Sequence, residues 1–267
     1  METALDIEWT HAIAPKATIL VETPSNSLSN LLAGVDVAVR NGASVVSMSW
    51  TAGEFSGEVN ADNHFASNSV TFVAVSGDRG TGTAYPAASP FVIGVGGTSL
   101  SLTSNGDYQN ETAWSGSGGG ISSYEREPAF QAQFAIPNDP RGYRGSPDVS
   151  YNANPSTGYT VYDSVAISGY SGWFQVGGTS AGSPQWAALV ATANSLRIAA
   201  RKANLASTNT ALYSAAKTAA TADYFRVTHG TNGTCGAVCT ASAGYDYVTG
   251  LGTLQASTLV GALAALR

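Results

Sequence analysis

The chain has 267 residues, 43% of them hydrophobic, which is enough for one large domain with a substantial buried core. Only 11% of the residues are charged and the formal net charge is −6, without a basic stripe, so nucleic acids and anionic membranes are excluded as expected partners. No stretch approaches the roughly 18 to 20 uninterrupted apolar residues of a membrane span. We expect a monomer that works away from membranes.

Helices and apolar strands alternate through the first hundred residues. Residues 2–14 have a helical pattern that ends before Pro15, and the run ATILVE at 17–22 predicts a short strand. A second helix starts after Ser27 and stops at Gly42, with apolar residues at helical spacing: Leu28, Leu31, Leu32, Val35 and Val39. Further apolar runs predict buried strands at 44–49, 70–75 and 91–95. The alternation predicts an α/β domain with a mainly parallel sheet flanked by helices.

The composition changes in the middle of the chain. Residues 98–178 are rich in Gly, Ser, Tyr and Pro, which favours short strands and long loops. Residues 183–200 then read as a nearly all-apolar, central helix, and a last helix covers about 254–266. Since we find neither a repeat nor a linker, we expect residues 1–267 to form a single domain.

Cys235 and Cys239 are the two cysteines of the chain, in CGAVC. Three intervening residues permit a local disulfide, which would indicate an oxidising compartment, while two ordinary thiols are the alternative. Without a further Cys or His cluster nearby, a zinc site is not expected.

The segment GGTSAGSP at 177–184 places Ser180 between small residues at the start of the apolar helix. Such a turn can expose a nucleophilic hydroxyl and leave backbone N–H groups free to face an oxyanion. The string differs from the GxSxG motif, so a Gly/Ser-rich helix entry without chemistry is an equally weighted alternative.

A serine nucleophile needs an adjacent base, and the sequence offers two kinds. The histidines, His11, His64 and His229, lie in contexts typical of ordinary surface or partly buried residues. Among the carboxylates, Glu2 and Asp6 are four residues apart and share a helix face, which is more often a solvated face than a site. Asp78 follows strand 70–75 directly, at the edge where open α/β sheets place their sites.

Several separated segments together resemble the sedolisin family, the serine-carboxyl peptidases. They are ETALDIEWTHAIAPKATI (2–19), VSMSW (46–50), SGDRGTGTAYPAASPFVIGVGGTSL (76–100), GGTSAGSPQWAAL (177–189) and YDYVTGLG (245–252). The resemblance covers essentially the whole chain in order. It implies a subtilisin-like three-layer α/β fold, an extracellular location, and endopeptidase activity in acid on protein or peptide substrates.

The resemblance also implies a role for each matching residue. Ser180 matches the nucleophile, Glu2 the general base and acid, and Asp6 the acid that orients Glu2. Asp78 matches the acid that donates to the oxyanion. The residues that match the substrate-binding positions are Ser49, Trp50, Gly77 and Thr179.

The use of carboxyl groups as base and oxyanion donor favours activity at acidic pH. A free Glu has a pKa of about 4.3, so it exchanges protons efficiently only near that pH. Two close acids that share a proton separate their apparent pKa values. Asp78 can donate to an oxyanion only while it is protonated. The sequence therefore predicts an acidic optimum.

The start of the chain departs from the family pattern. Met1 stands directly before Glu2, and METALDIEW is acidic, unlike a secretory signal. Family members carry sheet strands, and usually a prodomain, ahead of the acid helix. The resemblance thus predicts a catalytic domain without its N-terminal strands, whose prodomain is missing or separate. The alternatives are a non-catalytic relative that binds peptides without cleaving them, and an amidase-like Ser-Ser-Lys enzyme, which needs a lysine beside a serine pair.

The resemblance also implies a Ca²⁺ site near the C-terminus. Arg226 occupies one of its acidic positions, while Asp246 keeps the other, and the Val227 and Gly244 carbonyls could complete a weak site. Because Ca²⁺ requires oxygen ligands, we expect the Arg226 guanidinium to pair with Asp246 in place of the ion.

Overall fold

The computed structural model of the protein describes residues 1–137 and 141–266. The helices are α1 (Glu2–Ile13), α2 (Leu28–Arg40), α3 (Glu58–Ala61), α4 (Ala129–Phe134), α5 (Gly182–Ala199), α6 (Thr208–Asp223) and α7 (Ala256–Ala265). The strands are β1 (Val45–Met48), β2 (Ala52–Gly53), β3 (Thr71–Val75), β4 (Ala84–Tyr85), β5 (Val92–Leu102), β6 (Tyr108–Ala113), β7 (Gly120–Arg126), β8 (Tyr143–Ser146), β9 (Val149–Asn152), β10 (Tyr159–Ile167), β11 (Tyr170–Val176), β12 (Tyr224–Phe225) and β13 (Thr253–Leu254). Within this described part, no helix has the length and apolar character needed to cross a membrane.

The main sheet has the order β1-β3-β5-β9-β13-β12, with β6 paired to β5. The neighbours from β1 to β13 run parallel, while β12 and β6 pair antiparallel. Smaller two-stranded ladders join β10 to β11, β2 to β4 and β7 to β8. The predicted mainly parallel sheet flanked by helices is confirmed.

Strand β3 is buried on both of its faces, which shows that the main sheet is covered on both sides. All five of its residues are buried, as expected for an inner strand of a parallel sheet. Phe72 belongs to the cluster on the α2 side, and Val73 belongs to the cluster that contains Trp186 of α5. Successive strand residues point to opposite faces, so the sheet is the middle of three layers.

Helix α5 is the central helix that the sequence predicts. Most of its first twelve residues are buried, and the Trp186 indole N–H donates to the Ser150 carbonyl at 3.1 Å. The helix starts two residues after Ser180 and passes over β1 and β3. The core thereby holds the serine-bearing turn at one end of the sheet.

Several other predictions are confirmed locally. The Ser27 hydroxyl accepts from the Asn30 N–H at the start of α2, and Gly42 has φ +85° just after its end. Cys235 and Cys239 form a disulfide, with 5.3 Å between their Cα atoms.

Two elements differ from the sequence predictions. Residues 17–22, predicted as a strand, belong to no described strand, because no neighbouring strand lies beside them to pair with. Helix α6 was not predicted, because its alanine- and threonine-rich sequence has a weak apolar stripe; Leu212, Tyr213 and Ala216 nevertheless bury one face against the core.

Candidate active site

Helix α1 is fixed against the hairpin of β10 and β11. Leu5 is buried with Val161 and Ala181, and the Trp9 indole N–H donates to the Thr160 carbonyl at 3.2 Å. The Met1 amino group pairs with Asp163 at 2.5 Å. These contacts hold the first turn of α1, and with it Glu2, beside the turn that carries Ser180.

Ser180 lies in a 3₁₀ turn, Thr179–Ala181, between β11 and α5. Its hydroxyl lies close enough to the Glu2 carboxylate to favour the ionised form of that group. Burial raises the pKa of Glu2, the Ser180 hydroxyl opposes this rise, and the negative charge of Asp78 adds to it. Glu2 therefore holds a proton more strongly than a free glutamate, next to the hydroxyl from which it could take one.

Asp6 lies one helical turn after Glu2 on α1 and contacts Ser49, the residue that follows β1. The Ser49 hydroxyl donates to Asp6 Oδ1 at 2.8 Å. Burial raises the pKa of Asp6 to about 7, the Ser49 hydrogen bond opposes the rise, and the charge of Glu2 adds to it. In acid Asp6 is thus protonated and can stabilise an ionised Glu2.

Asp78 follows the end of β3 and contacts Thr179, the neighbour of Ser180. The Thr179 N–H and hydroxyl both donate to Asp78 Oδ1 at 2.7 Å, and the Gly77 N–H donates to the Thr179 hydroxyl at 3.2 Å. A Cβ at Gly178 would lie 2.6 Å from Asp78 Oδ2, and this residue has φ +97°, so both space and backbone require glycine there. The carboxyl is fixed beside the serine turn.

The structure thus brings together the four residues predicted to be catalytic. It also gives contacts to three of the residues predicted to bind substrate: Ser49 donates to Asp6, Thr179 donates to Asp78, and Gly77 donates to the Thr179 hydroxyl. Trp50 lines the same groove as Glu2 and Asp6. Contact of these four residues with substrate stays a prediction. Sequence reasoning missed the two supporting hydrogen bonds, since they join residues 43 and 101 positions apart.

The other candidate bases have contacts elsewhere or are exposed. His64 pairs with Asp36 at 2.9 Å, His229 contacts the Thr228 hydroxyl at 3.0 Å, and His11 is exposed on α1. Lys202 and Lys217 donate to backbone carbonyls of Ala265 and Gln133, and Lys16 is exposed. Among these candidate bases, Glu2 is the one on whose pKa the Ser180 hydroxyl acts.

The predicted pairing of Arg226 with Asp246 is wrong. Arg226 donates to the Gly244 carbonyl at 3.0 Å instead. The Asp246 carboxylate accepts from nearby donors: Val248 N, Thr249 N, Thr249 Oγ1 and Ser242 N. The local turn satisfies Asp246 without a cation, which is why no salt bridge to Arg226 is required.

These residues do not fit the implied calcium site. The guanidinium brings a positive charge to the Gly244 carbonyl that would be a ligand, and the oxygens of Asp246 are already hydrogen-bonded. Val227 is buried in a small apolar cluster. Across residues 1–137 and 141–266, no group of three or more His, Cys, Asp and Glu side chains could hold a metal ion.

A second group of buried acids, which sequence reasoning missed, lies around α3. Glu54 accepts hydrogen bonds from the Thr83 and Ser122 hydroxyls, and Glu58 accepts from the Phe55 N–H at 2.7 Å. Burial raises the pKa of Glu58 to about 8, and the negative charge of Glu54 contributes to the rise. Glu54 and Glu58 are four residues apart, but Glu54 lies before the start of α3, so no helical pattern in the sequence indicates the pair.

Comparison with known proteins identifies relatives. The sequence profile of the Subtilase family matches residues 4–266. Kumamolisin from Bacillus sp. (strain MN-32) is 36% identical over 222 aligned positions, covering 72% of this chain and 39% of kumamolisin. Sedolisin from Pseudomonas sp. (strain 101) is 34% identical over 218 positions, covering 73% of this chain and 35% of sedolisin. The matches thus span well under half the length of these curated relatives.

Solved structures agree with the sequence comparisons. Pseudomonas sedolisin, described as a serine-carboxyl proteinase complexed with two molecules of pseudo-iodotyrostatin, superimposes with a TM-score of 0.80 at 29% identity. The superposition covers 97% of this chain and 77% of the sedolisin chain. Sphericase, at a TM-score of 0.53 and 22% identity, shares the fold alone.

Proposed function

Because the chain belongs to the subtilase family, and within it to the sedolisins, we propose that it is a serine-carboxyl endopeptidase that hydrolyses peptide bonds in acid. The observation that carries the proposal is the proximity of the Ser180 hydroxyl to the Glu2 carboxylate, whose ionised form the hydroxyl favours. Asp6 and Asp78 are close enough to Glu2 for their charges to interact with it.

The proposed reaction starts with ionised Glu2. As the Ser180 oxygen attacks the substrate carbonyl carbon, its proton moves to Glu2, and protonated Asp78 donates a hydrogen bond to the developing oxyanion. Glu2 then passes the proton to the leaving amine. Water, activated by Glu2, hydrolyses the acyl-enzyme and releases Ser180.

The acid dependence follows from the direction of the pKa shifts. The pKa of Asp6 lies at about 7, so Asp6 is protonated in acid and loses its proton as the pH rises through that value. Above it, two adjacent negative charges, Glu2 and Asp6, would repel each other at the base. Activity should therefore decline toward neutral pH.

Substrate and location are part of the same proposal. We expect an extended segment of protein or peptide substrate to bind beside Trp50. The disulfide between Cys235 and Cys239 supports work outside the cell, since such bonds persist in oxidising compartments. One relative is named a tripeptidyl-peptidase, sed4 of Aspergillus fumigatus, so end-group analysis of the products should accompany the assay.

The test is cleavage of a denatured protein substrate between about pH 2 and 8. We expect activity in acid that Ser180→Ala and Glu2→Gln abolish, while Glu22→Gln, at an exposed position, leaves it intact. Activity that persists in Ser180→Ala would refute the mechanism. No cleavage at any pH, together with binding of a peptide aldehyde, would favour the alternative of a non-catalytic peptide-binding relative.

A further inference from the structure

The loop that carries Asp78 has little regular structure of its own. Residues 76–83 join β3 to β4 and belong to no helix or strand. Glycines with positive φ recur along the loop: Gly77 (+103°), Gly80 (+77°) and Gly82 (+122°). Glycine adopts such backbone freely, so the sequence of the loop does not by itself fix where the Asp78 carboxyl lies. Segments packed against the loop must fix it.

A second glycine-rich segment pairs with this loop. Backbone hydrogen bonds of 2.7 to 2.9 Å join residues 77–82 to residues 116–119, whose sequence is GSGG. A Cβ at Gly118 would collide with the Ser76 carbonyl, so the two segments touch along their backbones. Because both segments are rich in glycine, their contact needs support from a less flexible part of the protein.

Asn232 supplies that support, because it binds both segments. Its backbone carbonyl accepts from the Thr81 N–H at 2.9 Å, and its side-chain Nδ2 donates to the Ser117 carbonyl at 2.9 Å. A Cβ at Gly80 would lie 2.7 Å from the Asn232 carbonyl oxygen, so the backbone of the Asp78 loop lies directly against residue 232. One buried residue thereby connects the two glycine-rich segments.

Residues 231–240, which we call the disulfide turn, hold Asn232 in place. The Asn232 N–H donates to the Cys239 carbonyl at 3.0 Å, and the bond between Cys235 and Cys239 restricts the conformations of the residues that it encloses. The Thr81 hydroxyl lies 3.2 Å from Cys239 Sγ and 3.5 Å from Cys235 Sγ. Both the backbone and the side chain of Thr81 therefore contact the disulfide turn.

The side-chain amide of Asn232 is partly unsatisfied. Its Oδ1 is buried and has no hydrogen-bond partner in the described part of the chain. A buried amide oxygen without a donor is unfavourable, since it has lost its hydrogen bonds to water. An apolar side chain of the same branching, such as leucine, would avoid this penalty but could not donate to the Ser117 carbonyl. The amide therefore serves to hold residues 116–119.

We propose that Asn232, supported by the disulfide turn, is a positioning residue for Asp78. It holds the Thr81 N–H and the Ser117 carbonyl at the same time, and this fixes the backbone that carries the Asp78 carboxyl. The inference rests on the proposed function, in which Asp78 donates to the oxyanion.

The proposal predicts which kinetic constant depends on Asn232. The oxyanion develops only as the substrate reacts, so the Asp78 hydrogen bond is stronger in the transition state than in the bound substrate. Displacement of a reacting group by about 1 Å can lower a rate by roughly a hundredfold. A looser Asp78 loop should therefore lower kcat and leave KM nearly unchanged.

The test compares two buried asparagines that have similar hydrogen bonds. Asn209 also has a buried, unpartnered Oδ1, and its Nδ2 donates to the Pro90 and Val92 carbonyls at 3.2 and 3.1 Å. Val92 begins β5, whereas Asp78 follows the end of β3, so Asn209 lies at the opposite edge of the parallel sheet. Asn209→Ala therefore removes a comparable buried amide without touching the Asp78 loop, and is the matched control for Asn232→Ala.

We expect Asn232→Ala to lower kcat by roughly tenfold or more and to keep KM within about twofold of the wild-type value. Asn209→Ala should lower Tm but keep the wild-type kcat. Amide exchange, measured in the Ser180→Ala background, should become roughly tenfold faster at residues 77–82 in Asn232→Ala alone. Equal kcat and equal exchange in the two asparagine variants would overturn the proposal, as would faster exchange with an unchanged kcat.

Asn232→Leu keeps the proposal testable if Asn232→Ala does not fold. Leucine fills the site and removes the unsatisfied oxygen together with the donor, so Tm should fall less than in Asn209→Ala while kcat still falls by roughly tenfold. A kcat that changes only in proportion to Tm would mean that Asn232 is merely structural. Because exchange does not require catalysis, absence of cleavage by the wild type, which would refute the proposed function, is distinguishable from unchanged exchange in the Asn232 variants.

Discussion

Replacing Ser49 with alanine should raise the pKa of Asp6 and extend activity to higher pH. The Ser49 hydroxyl donates to Asp6 Oδ1 at 2.8 Å and favours the ionised carboxylate. A hydrogen bond to a charged group contributes about 1.5 kcal/mol or more, and 1.36 kcal/mol corresponds to one pKa unit. Starting from a pKa of about 7 in the wild type, the variant should titrate roughly one unit higher.

Two measurements check this shift. Carbon-13 NMR of the Asp6 carboxyl gives its pKa without the need for activity, and kcat/KM as a function of pH gives the alkaline limb of the reaction. Ser47→Ala is the matched control, because Ser47 lies in β1 two residues before Ser49 and contacts the Ser183 hydroxyl rather than an acid. An alkaline limb that stays in place while KM alone rises would mean that Ser49 binds substrate. An Asp6 pKa that falls would refute the electrostatic reasoning.

Three further predictions concern other parts of the molecule. Glu58→Gln should raise Tm at pH 8 but not at pH 4. The pKa of Glu58 is about 8 in the folded protein and 4.5 in the unfolded chain. The stability that its protonated form supplies is therefore complete below about 4.5 and is lost as the pH rises through about 8. Equal shifts at both pH values would contradict this. Thr179→Val should lower kcat by about tenfold or more, because Asp78 loses the Thr179 hydroxyl as a hydrogen-bond donor at 2.7 Å. An unchanged kcat would mean that the Thr179 N–H alone is enough to hold Asp78 in place. Cys235→Ser should cost about 2 kcal/mol, lowering Tm in calorimetry by roughly 4 to 8 °C, as should reduction of the wild-type bond to Cys239.

Local sequence determined much of the fold. The periodicity of α2, its Ser27 cap and the stop at Gly42 are encoded within a few residues. Continuous apolar runs identify β3 and the first part of β5, because inner parallel strands are buried on both faces. The apolar run at 44–49 also identifies β1, although β1 is an end strand in which Ser47 is exposed. The same reasoning failed at residues 17–22. A strand forms only when a neighbouring strand pairs with it. Whether residues 17–22 have such a partner cannot be seen from the residues next to them in the sequence.

The family resemblance of the sequence also implied roles for Ser180, Glu2, Asp6 and Asp78, and these roles stay predictions. It could not determine that Ser49 holds Asp6 or that Thr179 holds Asp78, nor that Arg226 contacts the Gly244 carbonyl instead of Asp246. Hydrogen bonds act over about 3 Å. The residues that these bonds join are far apart in the sequence, and no regular spacing in the sequence relates them. Only the tertiary structure brings them within that distance. Burial, hydrogen bonds and neighbouring charges there determine which carboxyl group keeps its proton.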